Sequence, residues 1–257
     1  MSIEEAKHSA TFSFSGNLND FLPEESKNVN IPYHFKKHPA VKHAIEAMGV
    51  PHIEVDGILV NQCPVKFDYP LQDKDRVQVF PIGSFSTIPQ EGHLQAPLKA
   101  HEVKFILDVH LSKLNVFLRL AGIDSYYNKD YDDPEIVQLA EIHGRIALTR
   151  DKGLLRRKIL SRGYWIRSTD PKEQFWEVMH RYNLWSSVQL VHRCVQCNTT
   201  LVPIAKERIL SLIPAFIYKM YRQFYYCPAC QKAYWDGPHF QLVKQLIEEF
   251  KEQQSLT

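Results

Sequence analysis

The feature that most constrains this chain is a pair of Cys-x-x-Cys motifs, Cys194-Val-Gln-Cys197 and Cys227-Pro-Ala-Cys230, with twenty-nine residues between them. Each pair forms a knuckle that supplies two thiolates. Four thiolates saturate a tetrahedral zinc ion and leave no position open for water, so a zinc held by Cys194, Cys197, Cys227 and Cys230 is structural. The C-terminal part of the chain therefore reads as a zinc ribbon whose folding is coupled to metal binding. The wide separation places an insertion between the knuckles. His192 and His239 are near but not needed as ligands, and the fifth cysteine, Cys63, reads as a buried inert thiol.

With 257 residues, 44% of them hydrophobic and 23% charged, the chain has the composition of a soluble globular protein of two or three units. No apolar run approaches the roughly 20 residues of a membrane span. The N-terminal stretch MSIEEAKHSATFSFSG carries early acids and no apolar core of a secretory signal. A cytoplasmic location with no membrane partner is the expectation. The net charge of +2 is unevenly spread: residues 1–100 hold nine Lys and Arg against twelve Asp and Glu, whereas the remainder holds twenty-two against seventeen. The basic residues gather in Arg150, Lys152, Arg156, Arg157, Lys158, Arg162 and Arg167, a run that suits a phosphate backbone or, equally, a solvated face.

The first unit, residues 1–84, reads β-β-α-β-β. Ala10 to Phe14 alternates like a half-buried strand, and Val29 to Phe35 supplies a second. Val41, Ala44, Ile45 and Met48 lie at helical spacing, with Gly49 and Pro51 as the stop. Ile53 to Val60, carrying an Asp56-Gly57 turn signal, and Arg76 to Ile82 complete the set. This order resembles the ubiquitin-like β-grasp, an α+β fold, and the ending VQVFPIGS resembles that of small sulfur-carrier proteins. Those carriers require a free terminal Gly-Gly, and here the chain runs on, which disfavours sulfur transfer.

Residues 85–101 are rich in Ser, Pro, Gln and Gly and read as a linker. After it, Val103 to Leu107 is a short apolar run typical of a strand buried on both faces. A helix follows through Leu111, Leu114, Phe117, Leu118 and Ala121, with Gly122 as its stop. Pro134 to His143, Arg145 to Thr149, Tyr164 to Arg167 and Pro171 to Tyr182 continue the alternation of helix and strand. The pattern is that of an α/β domain with a largely parallel sheet over residues 102–187, followed by the ribbon and a C-terminal helix over 188–257. The stripe Leu242, Val243, Leu246, Ile247 and Phe250 docks that helix.

Asp108 and Asp151 each follow a buried apolar strand, and ligands of open α/β sheets bind at the carboxyl ends of strands. Asp133 stands at the start of the helix from Pro134. Singly, each also reads as a cap or turn residue. Jointly, three carboxylates call for a hard cation, Mg or Mn, which polarises a phosphate and activates water. With carboxylates that repel one another, replacement of either Asp108 or Asp151 by Asn is expected to leave the apo fold intact or firmer.

The stretches KFILDVHLSKLNVFLRLAGID and DDPEIVQLAEIHGRIALTRDKGLLRR, followed by a CxxC pair, resemble the Mut7-C RNase domain, a branch of the PIN-like nucleases. The N-terminal segment resembles the Mut7-C ubiquitin-like domain that accompanies it. The resemblance implies a PIN-like fold and a metal-dependent ribonuclease in which Asp108, Asp133 and Asp151 hold the catalytic cation. An additional acid of that pattern has no clear counterpart, and Asp124 or Asp132 stands as a substitute. Arg119 and Arg150 read as phosphate ligands or as structural partners of buried aspartates. In the insertion, Lys219, Tyr221 and Arg222 belong to a run that interleaves aromatics with cations and suits RNA. RNA is the expected partner, with the ribosome or tRNA as more particular forms of it. A catalytically weak RNA- or ribosome-associated binding protein is the alternative.

Overall fold

Alternation decides the first strand: Ala10, Phe12 and Phe14 are buried, and the residues between them are not. The structure, a computed structural model, describes residues 8–83, 88–95 and 98–255, apart from the side chains at 239, 251 and 253–255. The N-terminal heptapeptide, residues 84–87 and 96–97 of the expected linker, and the His239 side chain lie outside the described residues. Two compact units are formed, Met1–Pro97 with Asp151–Tyr164, and Leu98–Arg150 with Trp165–Thr257.

In the first unit the strands are β1 (His8–Phe14), β2 (Ile31–Phe35), β3 (Val55–Val60), β4 (Cys63–Pro64) and β5 (Arg76–Pro81), with helix α1 (Val41–Ala47) after β2. Their order in the sheet is β2-β1-β5-β3-β4. The β1–β5 pair is parallel, and the β1–β2, β3–β5 and β3–β4 pairs are antiparallel. This is the expected β-grasp, with Val41, Ala44 and Ile45 of α1 buried. Gly49, at φ +99, ends the helix as expected.

Three local expectations are corrected. Asp56-Gly57 is not a turn: β3 runs through it, and the register on β5 shifts between Val55 and Gly57, so the pair forms a bulge. The glycine lets the Ile88 side chain pack against the strand, since a Cβ would lie 2.3 Å from its Cδ1. Cys63 is exposed, on a two-residue edge strand. Residues 88–95 of the linker are docked on the same unit. The Leu94 N–H reaches the Asp56 carbonyl at 2.6 Å, His93 pairs with Gly57, and the Gln95 amide donates to Ile53 O at 2.8 Å.

Residues Asp151–Tyr164, expected within the α/β domain, belong with this first unit. Leu154, Leu155 and Leu160 are buried, Lys152 Nζ donates to Asp20 O at 2.9 Å, and it lies 5.1 Å from the Phe21 ring.

In the second unit β6 (Phe105–Leu107) is buried at every residue. It is followed by α2 (Ser112–Leu120), β7 (Ser125–Tyr126), α3 (Asp133–His143) and β8 (Ile146–Thr149), then by β9 (Gly163–Trp165), of which only Trp165 falls in this unit, and α4 (Pro171–Arg181). The sheet order is β7-β6-β8-β9, and both neighbours of β6 run parallel to it. A strand shielded on both faces has no polar side to offer, which is why Phe105–Leu107 reads as an unbroken apolar run. Helix α2 buries Leu114 and Leu118 and ends at Gly122, φ +83, where a Cβ would meet Gln189 O at 2.3 Å. The chain then forms β10 (Val202–Ile204), α5 (Ala215–Met220), β11 (Phe224–Cys227), β12 (Lys232–Trp235) and α6 (Pro238–Ser255). Strands β10, β11 and β12 make an antiparallel ribbon. Phe250 of α6 stacks on Trp185 at 4.2 Å, with the planes 11° apart, so the C-terminal helix is docked as its apolar stripe requires. Among the described residues no helix is long and apolar enough to cross a membrane.

Candidate metal centre and the carboxyl edge of the sheet

Each Cys-x-x-Cys pair is folded by its own backbone. The Asn198 N–H binds Cys194 O at 2.9 Å, the Gln231 N–H binds Cys227 O at 2.8 Å, and both residues adopt positive φ, +68 and +57. These turns aim the Cys197 and Cys230 N–H groups at the Sγ atoms of Cys194 and Cys227, 3.5 and 3.3 Å away. Across the knuckles the Sγ atoms of Cys194 and Cys230 lie 3.9 Å apart, and those of Cys197 and Cys227 lie 3.5 Å apart. Four sulfurs at Zn–S bonds of about 2.3 Å in a tetrahedron stand about 3.8 Å from one another. All four ligand atoms fall within 4.8 Å, so the cluster can hold one metal ion.

Burial works to raise the Cys197 thiol, yet hydrogen bonds from Thr199 and the neighbouring cysteines bring it to about 6. Hydrogen bonding to Cys197, and then burial, push Cys230 up to about 12. Thiolates are the form that binds zinc, so metal binding to this set would release protons.

The first knuckle is built into the α/β sheet. Arg119, buried on α2, donates from Nε and Nη2 to Ser125 O at 3.1 and 2.8 Å, and from Nη1 to Val195 O and Gln196 O at 2.9 and 2.8 Å. Burial lowers its pKa, and the Cys194 and Cys197 thiolates counter the shift. Of the two roles open to Arg119, the structural one is occupied: its guanidinium is spent on backbone carbonyls.

Asp124 likewise is not a spare metal ligand. Arg145 Nη1 donates to it at 2.6 Å, Asn198 Nδ2 at 2.9 Å, and Arg193 Nη2 stands 3.4 Å away. Burial would raise its pKa, but these hydrogen bonds and charges hold it below the ordinary value. Asp132, exposed, is the N-cap of α3 and accepts the Glu135 N–H at 2.9 Å, a role the sequence had offered to Asp133. Asp133 is the first residue of the helix, partly buried, with Pro134 behind it.

At the carboxyl end of β6, Asp108 is buried and satisfied on both oxygens. Oδ1 accepts the His110 N–H at 2.8 Å, and Oδ2 accepts the Thr149 hydroxyl and the Arg150 N–H, the latter at 2.8 Å. Thr149 therefore orients Asp108 from the end of the neighbouring strand. The Arg150 guanidinium turns to Arg167 O and Ser168 O, beyond β9. Asp151 is exposed and accepts the Gly153 N–H at 2.7 Å. Among the described residues the four cysteines are the group of potential ligands that is gathered for one ion, and Asp108, Asp133 and Asp151 are not gathered in this way.

A family model for the Mut7-C RNAse domain matches residues 103–247, which takes in β6, Asp108, the parallel sheet and both cysteine knuckles. The chain belongs to the Mut7-C RNAse domain family. A second model, for the Mut7-C ubiquitin domain, matches residues 7–87 and coincides with the β-grasp sheet. Comparison with curated proteins and with solved structures gave no significant match.

Within the Mut7-C RNAse domain the expected RNA-facing residues are differently placed. Arg157 and Lys158 are exposed, as is Arg156, whose Nη2 stands 3.4 Å from Gly49 O. Lys219 and Arg222 are exposed as well. Tyr221 instead packs on the ribbon core beside Trp235, their rings 6.2 Å apart, and Tyr218 lies under Lys206. Local spacing does not mark Arg119 and Asp124 as anchors of the knuckle; the signal available was a basic residue on the apolar side of an amphipathic helix, next to Leu118 and Leu120.

Proposed function

We propose that this Mut7-C protein is a metal-dependent ribonuclease whose reaction centre lies at the carboxyl edge of the parallel sheet, at Asp108. The observation that carries the reading is the preorganised Asp108 carboxylate, fixed by three donors at the end of the central strand of an RNAse-family domain. A carboxylate offers about four lone-pair positions, so three donors leave Asp108 able to face a cation. The donor chemistry of Asp108, Asp133 and Asp151, all carboxylate oxygens, fits Mg or Mn. Such a cation, when bound, polarises the scissile phosphate and lowers the pKa of water.

The chain's own residues supply the rest. The Thr149 hydroxyl keeps Asp108 in one rotamer, and Arg156, Arg157 and Lys158, exposed, suit a phosphate backbone. The knuckle cysteines take zinc as a structural ion. The substrate is RNA, on a ribosome or as tRNA in its more particular forms, and the location is the cytoplasm.

Purified protein incubated with mixed RNAs in Mn or Mg, with and without chelator, tests the reading. Cation-dependent cleavage lost in Asp108→Asn supports it, and RNA left intact under all conditions overturns it. Binding without cleavage would favour the second reading, an RNA- or ribosome-associated binding protein of weak catalysis. The aspartates that are not gathered for one ion favour that reading. A sulfur-carrier role remains disfavoured, because the chain continues from Gly83 into a segment that pairs with the β-grasp sheet.

A further inference from the structure

The insertion between the knuckles carries an apolar surface that the ribbon does not use. Ile209, Ile213 and Ile217 are buried against Phe224, which fastens the segment to β11. That choice of face turns other large apolar side chains outward: Leu210 is 60% exposed, Phe216 62% and Met220 66%. On α5, positions 216, 219 and 220 lie three and four residues apart and share one side. The exposed ring of Phe216 is therefore flanked on its own helix face by the Lys219 ammonium. Arg222 follows at the end of the helix, and Arg208 lies in the preceding turn, both exposed. Against these cations the segment 206–222 sets one acid, Glu207.

With Leu212, 46% exposed, four large apolar side chains are exposed within eleven residues that positive charge flanks, and such a stretch marks a binding surface. We infer that this surface is a stacking platform for single-stranded RNA, in which Phe216 and Met220 receive a base and Lys219 and Arg222 receive the adjoining phosphates. The inference rests on the RNA reading above and places a contact where the sequence pointed to Tyr221, which packs inward. Charge complementarity asks for an anionic occupant. The area decides between two of them: a stable protein partner engages about 20–30 residues a side, whereas one base needs a single planar ring with a cation beside it. The platform also falls inside the segment matched by the RNAse domain model.

Fluorescence anisotropy with a labelled oligouridylate of about 12 nucleotides, in the absence of added divalent cation, tests the inference on the full chain. Phe216→Ala should weaken binding roughly 10-fold with the salt slope unchanged, and Phe216→Tyr should bind as the wild type does. Lys219→Ala with Arg222→Ala should flatten the slope of log affinity on log salt. Since Phe216 is exposed, its loss leaves the fold intact, which thermal unfolding checks. Wild-type affinity in Phe216→Ala overturns the platform and points to an acidic protein segment as the occupant. Absence of any binding by the wild type overturns it too. In either case the cleavage assay decides separately whether the ribonuclease reading stands.

Discussion

The Asn198 side-chain amide donates to Asp124 Oδ1 at 2.9 Å, so the residue that closes the first cysteine knuckle is tied to the loop leading into β7. Asp124 in turn holds Arg145, whose guanidinium lies 3.2 Å from the centre of the Tyr126 ring and donates to Phe105 O. A continuous path of hydrogen bonds thus runs from the first cysteine knuckle to strand β6. Loss of metal should loosen β7 as well as the ribbon. Hydrogen exchange of protein treated with a thiol-competent chelator would show the change at Ser125 and Tyr126, and protection there equal to that of the untreated protein would refute the coupling.

Arg119 carries the second link in the same joint. Arg119→Met keeps the volume and removes the donors, leaving the carbonyls of Ser125, Val195 and Gln196 without their partner. Each buried group left unsatisfied costs about 1–3 kcal/mol, so the whole change should fall at 2 kcal/mol or more, in the ~2–5 kcal/mol range. Urea unfolding measures it. A loss under about 0.5 kcal/mol would mean that the surroundings repair the gap with water.

Asp124 gives the joint a pH dependence of definite sign. Its folded pKa is held below the ordinary value, so its contribution is present above about pH 4 and is lost as the pH falls through the lower folded value. Asp124→Asn should be less stable than the wild type at pH 6, and the difference between the two should shrink from pH 4 downwards. Comparison of the two proteins at each pH removes the effect of acid on the thiolates they share. A constant difference would contradict the assignment.

Much of this was legible in the sequence, for a physical reason in each case. The Cys-x-x-Cys spacing admits few geometries, and an unbroken run such as Phe105–Leu107 has no polar face to present to water. Gly122 announced both a helix end and, as the structure adds, a close approach of Gln189. What could not be read was long-range hydrogen bonding. The linker is polar and aperiodic, yet Leu94 and Gln95 dock on Asp56 and Ile53, beside the bulge in β3. Arg119 and Asp124 looked like site residues since burial and partners at distant positions leave no trace in local spacing. Asp132 and Asp133 differ by one residue, within the usual uncertainty of a helix start.

Gly122→Ala tests the close approach. The methyl group would fall 2.3 Å from Gln189 O at a backbone φ of +83. Strain in that region alone is about 1–3 kcal/mol, and the clash adds to it. Gly144, φ +58 with nothing near its Cβ position, is the control and should lose only the conformational part. Equal losses at the two positions would show that Gln189 moves away without resistance.

The carboxylate at the end of β6 yields the prediction that reverses the expectation from charge repulsion. Asp108→Asn was expected to leave the apo fold intact or firmer, because three neighbouring carboxylates repel. Asp108 instead accepts from His110 N–H, Thr149 Oγ1 and Arg150 N–H, and among the described residues it belongs to no group of three or more gathered metal-ligating side chains. An amide has one accepting oxygen. Placed toward Thr149 and Arg150, it leaves its NH2 group facing the His110 N–H, and the opposite rotamer sets the NH2 against the other two donors. Either way a donor meets a donor, and the fold should lose about 1–3 kcal/mol. Thr149→Val should lose about 1 kcal/mol and free the Asp108 rotamer. Asp151→Asn, exposed, should leave stability within about 0.5 kcal/mol. Cleavage separates stability from chemistry when measured at a temperature where all variants are folded. The ribonuclease reading expects Asp108→Asn and Asp151→Asn to lose Mn-dependent cleavage by a large factor while Thr149→Val loses less. Full cleavage by folded Asp108→Asn would remove this residue from the reaction and leave its three hydrogen bonds as its whole role.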